Sequence, residues 1–174
     1  AAAFSGIANR GQVPAWRLLA GEPRLGRRVA DPAAASIIAD ILCDDDARRG
    51  AFGRASVLAT PVRVPCKTGT SSGFHDAWTV GSTAEHTVAV WAGNFDGKPM
   101  DGTASIEAAA PLWRAIIDVL LAHDTGVPAP RVEDGLSTRE VCRLSGLLPV
   151  PASPGVLSEW FLPGTEPSAN AGAW

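Results

Sequence analysis

The residues best suited to chemistry in this chain are Lys67-Thr68-Gly69-Thr70. They close a segment in which Val62, Val64, Cys66 and Thr68 alternate with Arg63, Pro65 and Lys67, the period-two pattern of a strand over about 60–70. Pro65 cannot donate to a ladder, so the strand lies at a sheet edge or begins near that proline. A cation and hydroxyls two or three positions apart along such an edge converge on a carboxylate beside it. Gly69 has no side chain, which lets a ligand backbone approach and pair. The residue after it can aim its N–H at a developing oxyanion. A Lys-Thr-Gly tripeptide alone occurs by chance in about 4% of chains of this length, so its context must carry the weight.

That context is a set of elements able to position an edge strand. Two further strand patterns follow, about 75–82 around Ala77 to Val80 and about 86–93 from His86 to Gly93, joined by a link short enough for a hairpin. An antiparallel meander is expected. Phe4, Ile7 and Ala8 have helical spacing up to a stop at Gly11. Trp16, Leu18 and Leu19 are apolar anchors in the punctuated stretch after it. Asp31 and Pro32 open a second helix whose apolar face is Ile37, Ile38, Ile41 and Leu42, with Asp44 to Asp46 as its solvated end. A last helix is expected over about 104–122, with Leu112, Trp113, Ile116, Ile117 and Leu120 as an apolar stripe and a kink or start at Pro111. Trp16, Trp91 and Trp113 read as core residues, Trp78 as a strand-buried aromatic beside a locally bonded Asp76, and Glu107 as solvated. Past Gly126 the chain turns Pro-rich, as a linker into another module would.

Several functions are disfavoured by the residues present. A net charge of −3 argues against nonspecific nucleic-acid binding, which wants Lys and Arg clustered on one face. Cys43, Cys66 and Cys142 form no metal-ligand spacing and no disulfide framework. His75, Asp76 and His86 with Cys66 make a poor metal site, because the strand residues need not share a face. Ser71 or Ser72 with His75 and Asp76 makes a poor triad for the same reason. No metal and no cofactor is expected. No apolar run is long enough to cross a bilayer, and the chain begins without Met, as an excised segment would.

The run Lys67-Thr-Gly-Thr-Ser-Ser-Gly-Phe-His-Asp-Ala-Trp78, with Val80-Gly81, Val90-Trp91-Ala92-Gly93-Asn94, Asp96-Gly97 and Ala109-Ala110-Pro111, closely resembles class A penicillin-binding proteins, of the 1C type. Ala8-Asn9-Arg10-Gly11 and Arg17-Leu18-Leu19 resemble the stretch before their K-T-G strand. Cys142-Arg-Leu-Ser-Gly146 and Glu159-Trp-Phe-Leu-Pro-Gly164 resemble the start of the 1C carboxy-terminal domain. The resemblance implies an α/β chain of the α+β type, a partial penicillin-binding, β-lactamase-like transpeptidase fold with an antiparallel sheet flanked by helices. It divides the chain into 1–125, the later part of a transpeptidase domain, and 126–174, a linker and the truncated start of the carboxy-terminal domain.

In that family a serine of an S-x-x-K motif attacks the penultimate D-Ala carbonyl of a stem peptide, and an amine resolves the acyl-enzyme into a cross-link. Penicillin mimics the donor. By resemblance, Lys67 serves the electrostatics and proton traffic of the site, Thr68 and Thr70 hydroxyls bind the substrate carboxylate, Gly69 makes room for substrate, and the Thr70 N–H forms half an oxyanion hole. The nucleophile is absent from this chain. With Lys67 and Lys98 the only lysines, S-x-x-K requires serine at positions held by Val64 and Phe95. Ser168-Ala169-Asn170 has the form of the family's S-x-N motif but follows K-T-G instead of preceding it. Ser153 stands where the 1C type often has a second cysteine, and Ala104-Ser105 replaces a Thr-Gly.

The expected parent is thus a bifunctional peptidoglycan glycosyltransferase and serine D,D-transpeptidase, anchored upstream at the periplasmic face of the inner membrane. Its partners are stem peptides, lipid-linked precursor, β-lactams and the missing amino-terminal half of its own domain. The fragment alone is expected to be inert. A D,D-carboxypeptidase or β-lactamase-like hydrolase fragment is one alternative, and a non-catalytic wall-binding piece another.

Overall fold

The computed structural model describes residues 1–15, 21, 26–100, 102, 104–129, 131 and 134–172. Trp16, Leu18 and Leu19 lie outside the described residues. Helix α1 (Ala2–Ala8) leads into a short antiparallel pair, β1 (Gln12–Val13) with β2 (Arg27–Arg28). Helix α2 (Pro32–Cys43) begins as its sequence requires, with the Asp31 carboxylate accepting the N–H groups of Ala33 and Ala34 at 2.8 and 3.3 Å.

Its buried face corrects the sequence expectation. Ala33, Ala35 and Ala39 are buried, whereas Ile38 and Ile41 remain exposed. Helix α2 lies against α1 and β3, and small residues permit that close approach, while the isoleucines point elsewhere. The acidic run also does more than end a helix. Asp44 caps a separate α3 (Asp45–Phe52) by accepting the Ala47 N–H at 2.9 Å, and Asp45 and Asp46 favour its positive amino end.

The central sheet is the expected antiparallel meander. Its order is β3 (Cys66–Thr70), β4 (Asp76–Ser82), β5 (Thr87–Gly93), with Gly69 opposite Trp78 and Trp78 opposite Trp91. Strand β3 starts directly after Pro65. One sheet face carries Cys66, Ala77 and Val90, which pack with Leu58, Val64, Trp113 and Ile117 into the core. Gly81 is required there: a Cβ on it would strike the Trp113 ring and approach the Pro65 carbonyl to 2.9 Å.

The expected last helix is two: α4 (Ser105–Ala108) and α5 (Ala110–Leu120), broken at Ala109 with Pro111 in the first turn of α5. Trp113 and Ile117 are fully buried, but Leu112 and Ile116 are exposed, so the buried stripe is narrower than the apolar one. After α5, the Val127 N–H donates to the Arg63 carbonyl at 2.8 Å, and Arg10 pairs with Asp134. A hairpin of β6 (Ser137–Cys142) and β7 (Val156–Phe161) follows, with Asn170 bridged to Leu148 beside it. Among the described residues no helix is long and apolar enough to cross a membrane.

Candidate functional site

Strand β3 has one neighbour, β4, and its other edge is open among the described residues. The phase of the ladder decides what that edge presents. Ser82 N–H donates to the Pro65 carbonyl at 3.1 Å and Ser71 N–H to the Asp76 carbonyl at 2.9 Å. Positions 65 and 71 therefore face β4, and with alternation so do 67 and 69. The N–H and C=O groups of Cys66, Thr68 and Thr70 point to the open edge. Two side chains agree: Lys67 Nζ donates to the Thr68 carbonyl at 2.5 Å, and Arg48 Nη1 reaches the Cys66 carbonyl at 3.5 Å.

Side chains divide between the faces. Thr68 and Thr70 share the face of the buried Cys66, toward α4 and α5. Thr68 is buried, and the Thr70 hydroxyl donates to Ser105 Oγ at 3.1 Å while accepting the Ser105 N–H at 3.1 Å. Lys67 and Gly69 lie on the other face and are exposed. A Cβ built on Gly69 would meet nothing within 4 Å, so the sheet face beside the open edge is clear for a ligand. Trp78, next to Gly69 in the same row, is 44% exposed, which corrects the expectation of a buried aromatic. Trp91 is half-buried, donates from its indole N–H to Asp76 at 2.8 Å, and meets the Phe95 ring at a tilt of 47° and a 5.2 Å centroid distance. The four expected site residues thus stand together as an open edge able to accept an extended backbone, offering two outward N–H groups and an exposed cation.

Residues weighed for other chemistry go to separate partners. His75 Nδ1 lies 2.6 Å from the Gly97 carbonyl, and the Ser71 hydroxyl accepts the Asp76 N–H at 2.8 Å. His86 Nδ1 lies 3.0 Å from Asp124, whose carboxylate also takes the Thr83 hydroxyl and the Glu85 and Thr125 N–H groups. Burial opposes the charge on Asp124, but these donors more than offset it and hold its carboxyl down at about 2. Among the described residues no group of three or more His, Cys, Asp or Glu could hold a metal ion. Burial pushes the Cys43 thiol up to about 12 and Cys66 to about 11, so both stay protonated at neutral pH. Hydrogen bonds from Ser145 bring the buried Cys142 down to about 7. Asn170 pairs with Leu148 in the β6–β7 module and takes no part in the β3 edge. Sequence reasoning missed Ser105 as a site neighbour, since 35 positions separate it from Thr70.

The chain is similar to several known proteins. Residues 132–170 match the family described as Penicillin-binding protein 1A, C-terminal domain. Penicillin-binding protein 1C of Escherichia coli K12 is 30% identical over 173 residues, covering 96% of this chain and 22% of that protein. Penicillin-binding protein 1A of Clostridium botulinum is 33% identical over 156 residues, 84% of this chain and 18% of that protein. The chain thus spans about a fifth of the length of the curated relatives it matches. In fold it is similar to penicillin-binding protein 1A from Haemophilus influenzae, with TM-score 0.75 and 18% identity over 97% of this chain and 32% of that one. It also resembles penicillin-binding protein A of M. tuberculosis, solved as an imipenem acyl-enzyme complex, with TM-score 0.51 and 23% identity over 69% of this chain and 30% of that one. The sheet and its flanking helices are those of a penicillin-binding protein. Along nearly its whole length the chain is similar to penicillin-binding protein 1C, and its fold is similar to that of penicillin-binding protein 1A.

Proposed function

We propose that this chain is the distal part of a peptidoglycan D,D-transpeptidase domain, residues 1–125, followed by the opening of a carboxy-terminal domain, residues 126–174. The observation that carries the reading is the open β3 edge, where Lys67 to Thr70 present a cation, a side-chain-free position and outward N–H groups. A stem peptide or β-lactam pairs with this edge, its carboxylate held near Thr68 and Thr70. Its carbonyl oxygen lies where the Thr70 N–H stabilises the oxyanion. Lys67 supplies positive charge to the transition state and to proton transfer. The acylated serine belongs to an S-x-x-K segment of the same polypeptide outside this chain, so this piece alone forms no acyl-enzyme. The parent carries a glycosyltransferase domain and a membrane anchor upstream and works on the periplasmic face.

The test is acylation by a fluorescent penicillin in the intact polypeptide and in this chain. The intact protein labels and this chain does not. Labelling of this chain alone, or none in the intact protein, overturns the reading. Release of D-Ala without cross-linking to an added amine would instead identify a carboxypeptidase.

A further inference from the structure

The Thr70 hydroxyl is not free to aim at a ligand, because Ser105 holds it from two sides. The Ser105 N–H donates to Thr70 Oγ1 at 3.1 Å, and the two hydroxyl oxygens are 3.1 Å apart. Ser105 is 4% exposed and stands at the first position of α4, so its geometry is fixed by packing and not by solvent. A hydroxyl has one donor hydrogen and two acceptor lone pairs. Thr70 gives its hydrogen to Ser105 Oγ. A ligand carboxylate only accepts, so Thr70 must turn that hydrogen outward. Ser105 can then reverse its own role and donate its O–H to the second lone pair of Thr70. Both lone pairs become occupied and the remaining hydrogen is aimed at the anion. Such a chain of donors also polarises each bond along it.

We propose that Ser105 is a positioning residue for ligand-carboxylate recognition, a buried hydroxyl that reverses from acceptor to donor and thereby orients the Thr70 hydroxyl toward the anion. This rests on the proposed carboxylate-binding role of Thr70. Thr79 makes a useful contrast. Its hydroxyl is buried on the same face, opposite Thr68, but has no hydrogen-bond partner among the described residues, so it fixes nothing at Thr70.

The experiment measures acylation rates of the intact polypeptide with a penicillin and with its methyl ester, which lacks the anion. The ratio of acid to ester rates within one preparation cancels any change in folded fraction. Ser105→Ala keeps the backbone N–H bond to Thr70 and removes only the hydroxyl. It should lower the ratio about tenfold, the worth of one neutral hydrogen bond. Ser105→Thr should restore the ratio, and Thr79→Val should leave it unchanged. If Thr70→Val lowers the ratio and Ser105→Ala does not, the Ser105 inference fails while the functional reading stands. If Thr70→Val leaves it unchanged, the carboxylate role of Thr70 fails, and the Ser105 inference with it.

Discussion

The Lys67 ammonium donates to the carbonyl oxygen of the next residue, Thr68, at 2.5 Å. That carbonyl points to the open edge of β3, so the cation reaches around its own strand to the side where a ligand would pair. It does not extend into solvent from the face that carries its Cα. A long flexible side chain held back on its backbone is ready to exchange one carbonyl for a ligand group with little ordering cost.

Lys67→Ala should therefore abolish penicillin acylation of the intact polypeptide, by about 100-fold or more, while leaving the fold intact. Lys67 is exposed and contributes nothing to the core, so the melting temperature should not move. Normal acylation by this variant would remove Lys67 from the mechanism.

Gly69→Ala separates room for a ligand from room for folding. The position is in an ordinary strand conformation, and nothing lies within 4 Å of an added Cβ. The folded chain should accept the methyl at unchanged or slightly raised stability, since alanine loses less conformational freedom than glycine. A ligand pairing with the edge meets that methyl, so acylation should fall at least tenfold. A drop in melting temperature with unaltered acylation would reverse the interpretation.

What the sequence revealed depended on how local the cause was. The edge strand was legible because Pro65 and the alternation of Val64, Cys66 and Thr68 act through the backbone of one segment. The capped start of α2 was legible for the same reason, through Asp31 and Pro32. The solvated-end reading of Asp44 to Asp46 overlooked that an acidic run can equally begin a helix. The buried faces of α2 and α5 depend on which element lies across from them, and composition cannot report that. The apolar pattern points Ile38, Ile41, Leu112 and Ile116 inward, yet all four are exposed. The Ser105–Thr70 contact joins residues 35 positions apart, so no spacing within either segment announces it.

Asp124 should set the acid limb of stability. Its carboxylate ties the β4–β5 turn, through Thr83 and His86, to the segment after α5. With its folded value near 2 against an ordinary 3.8, the contribution is complete above about 4 and is lost as pH falls toward 2. Asp124→Asn should lower stability at neutral pH and flatten its pH dependence between about 4 and 2. Urea unfolding across that range checks it, and an unchanged slope would rule the carboxylate out as the source.

Thr79 offers a stability prediction of opposite sign. Its buried hydroxyl has no partner among the described residues, and valine has the same shape without the unmet polar group. Thr79→Val should be neutral or stabilising by up to about 1–2 kcal/mol. By contrast, Trp113→Ala, in the same core and fully buried, should cost about 3–5 kcal/mol. Thermal unfolding of both variants tests the pair, and a marked loss in Thr79→Val would mean that its hydroxyl finds a partner in solution.

On the proposed reading, the exposed apolar side chains are surfaces that the upstream part of the domain would cover. Trp78 is 44% exposed on the face of Lys67, Ile41 60% on α2, and Leu112 and Val119 57% and 71% on α5. Scattered apolar residues are ordinary on a surface, but large ones on the sheet face and on both helices favour association of a fragment in isolation. This chain should sediment as concentration-dependent oligomers, and Trp78→Ser should weaken that association because the aromatic stands on the uncovered sheet face. Co-expression with the S-x-x-K segment that the proposed function requires should suppress association and protect Trp78 from quenching by acrylamide. A chain that remains monomeric at all concentrations, with one sharp melt, would mean that these faces have no missing partner.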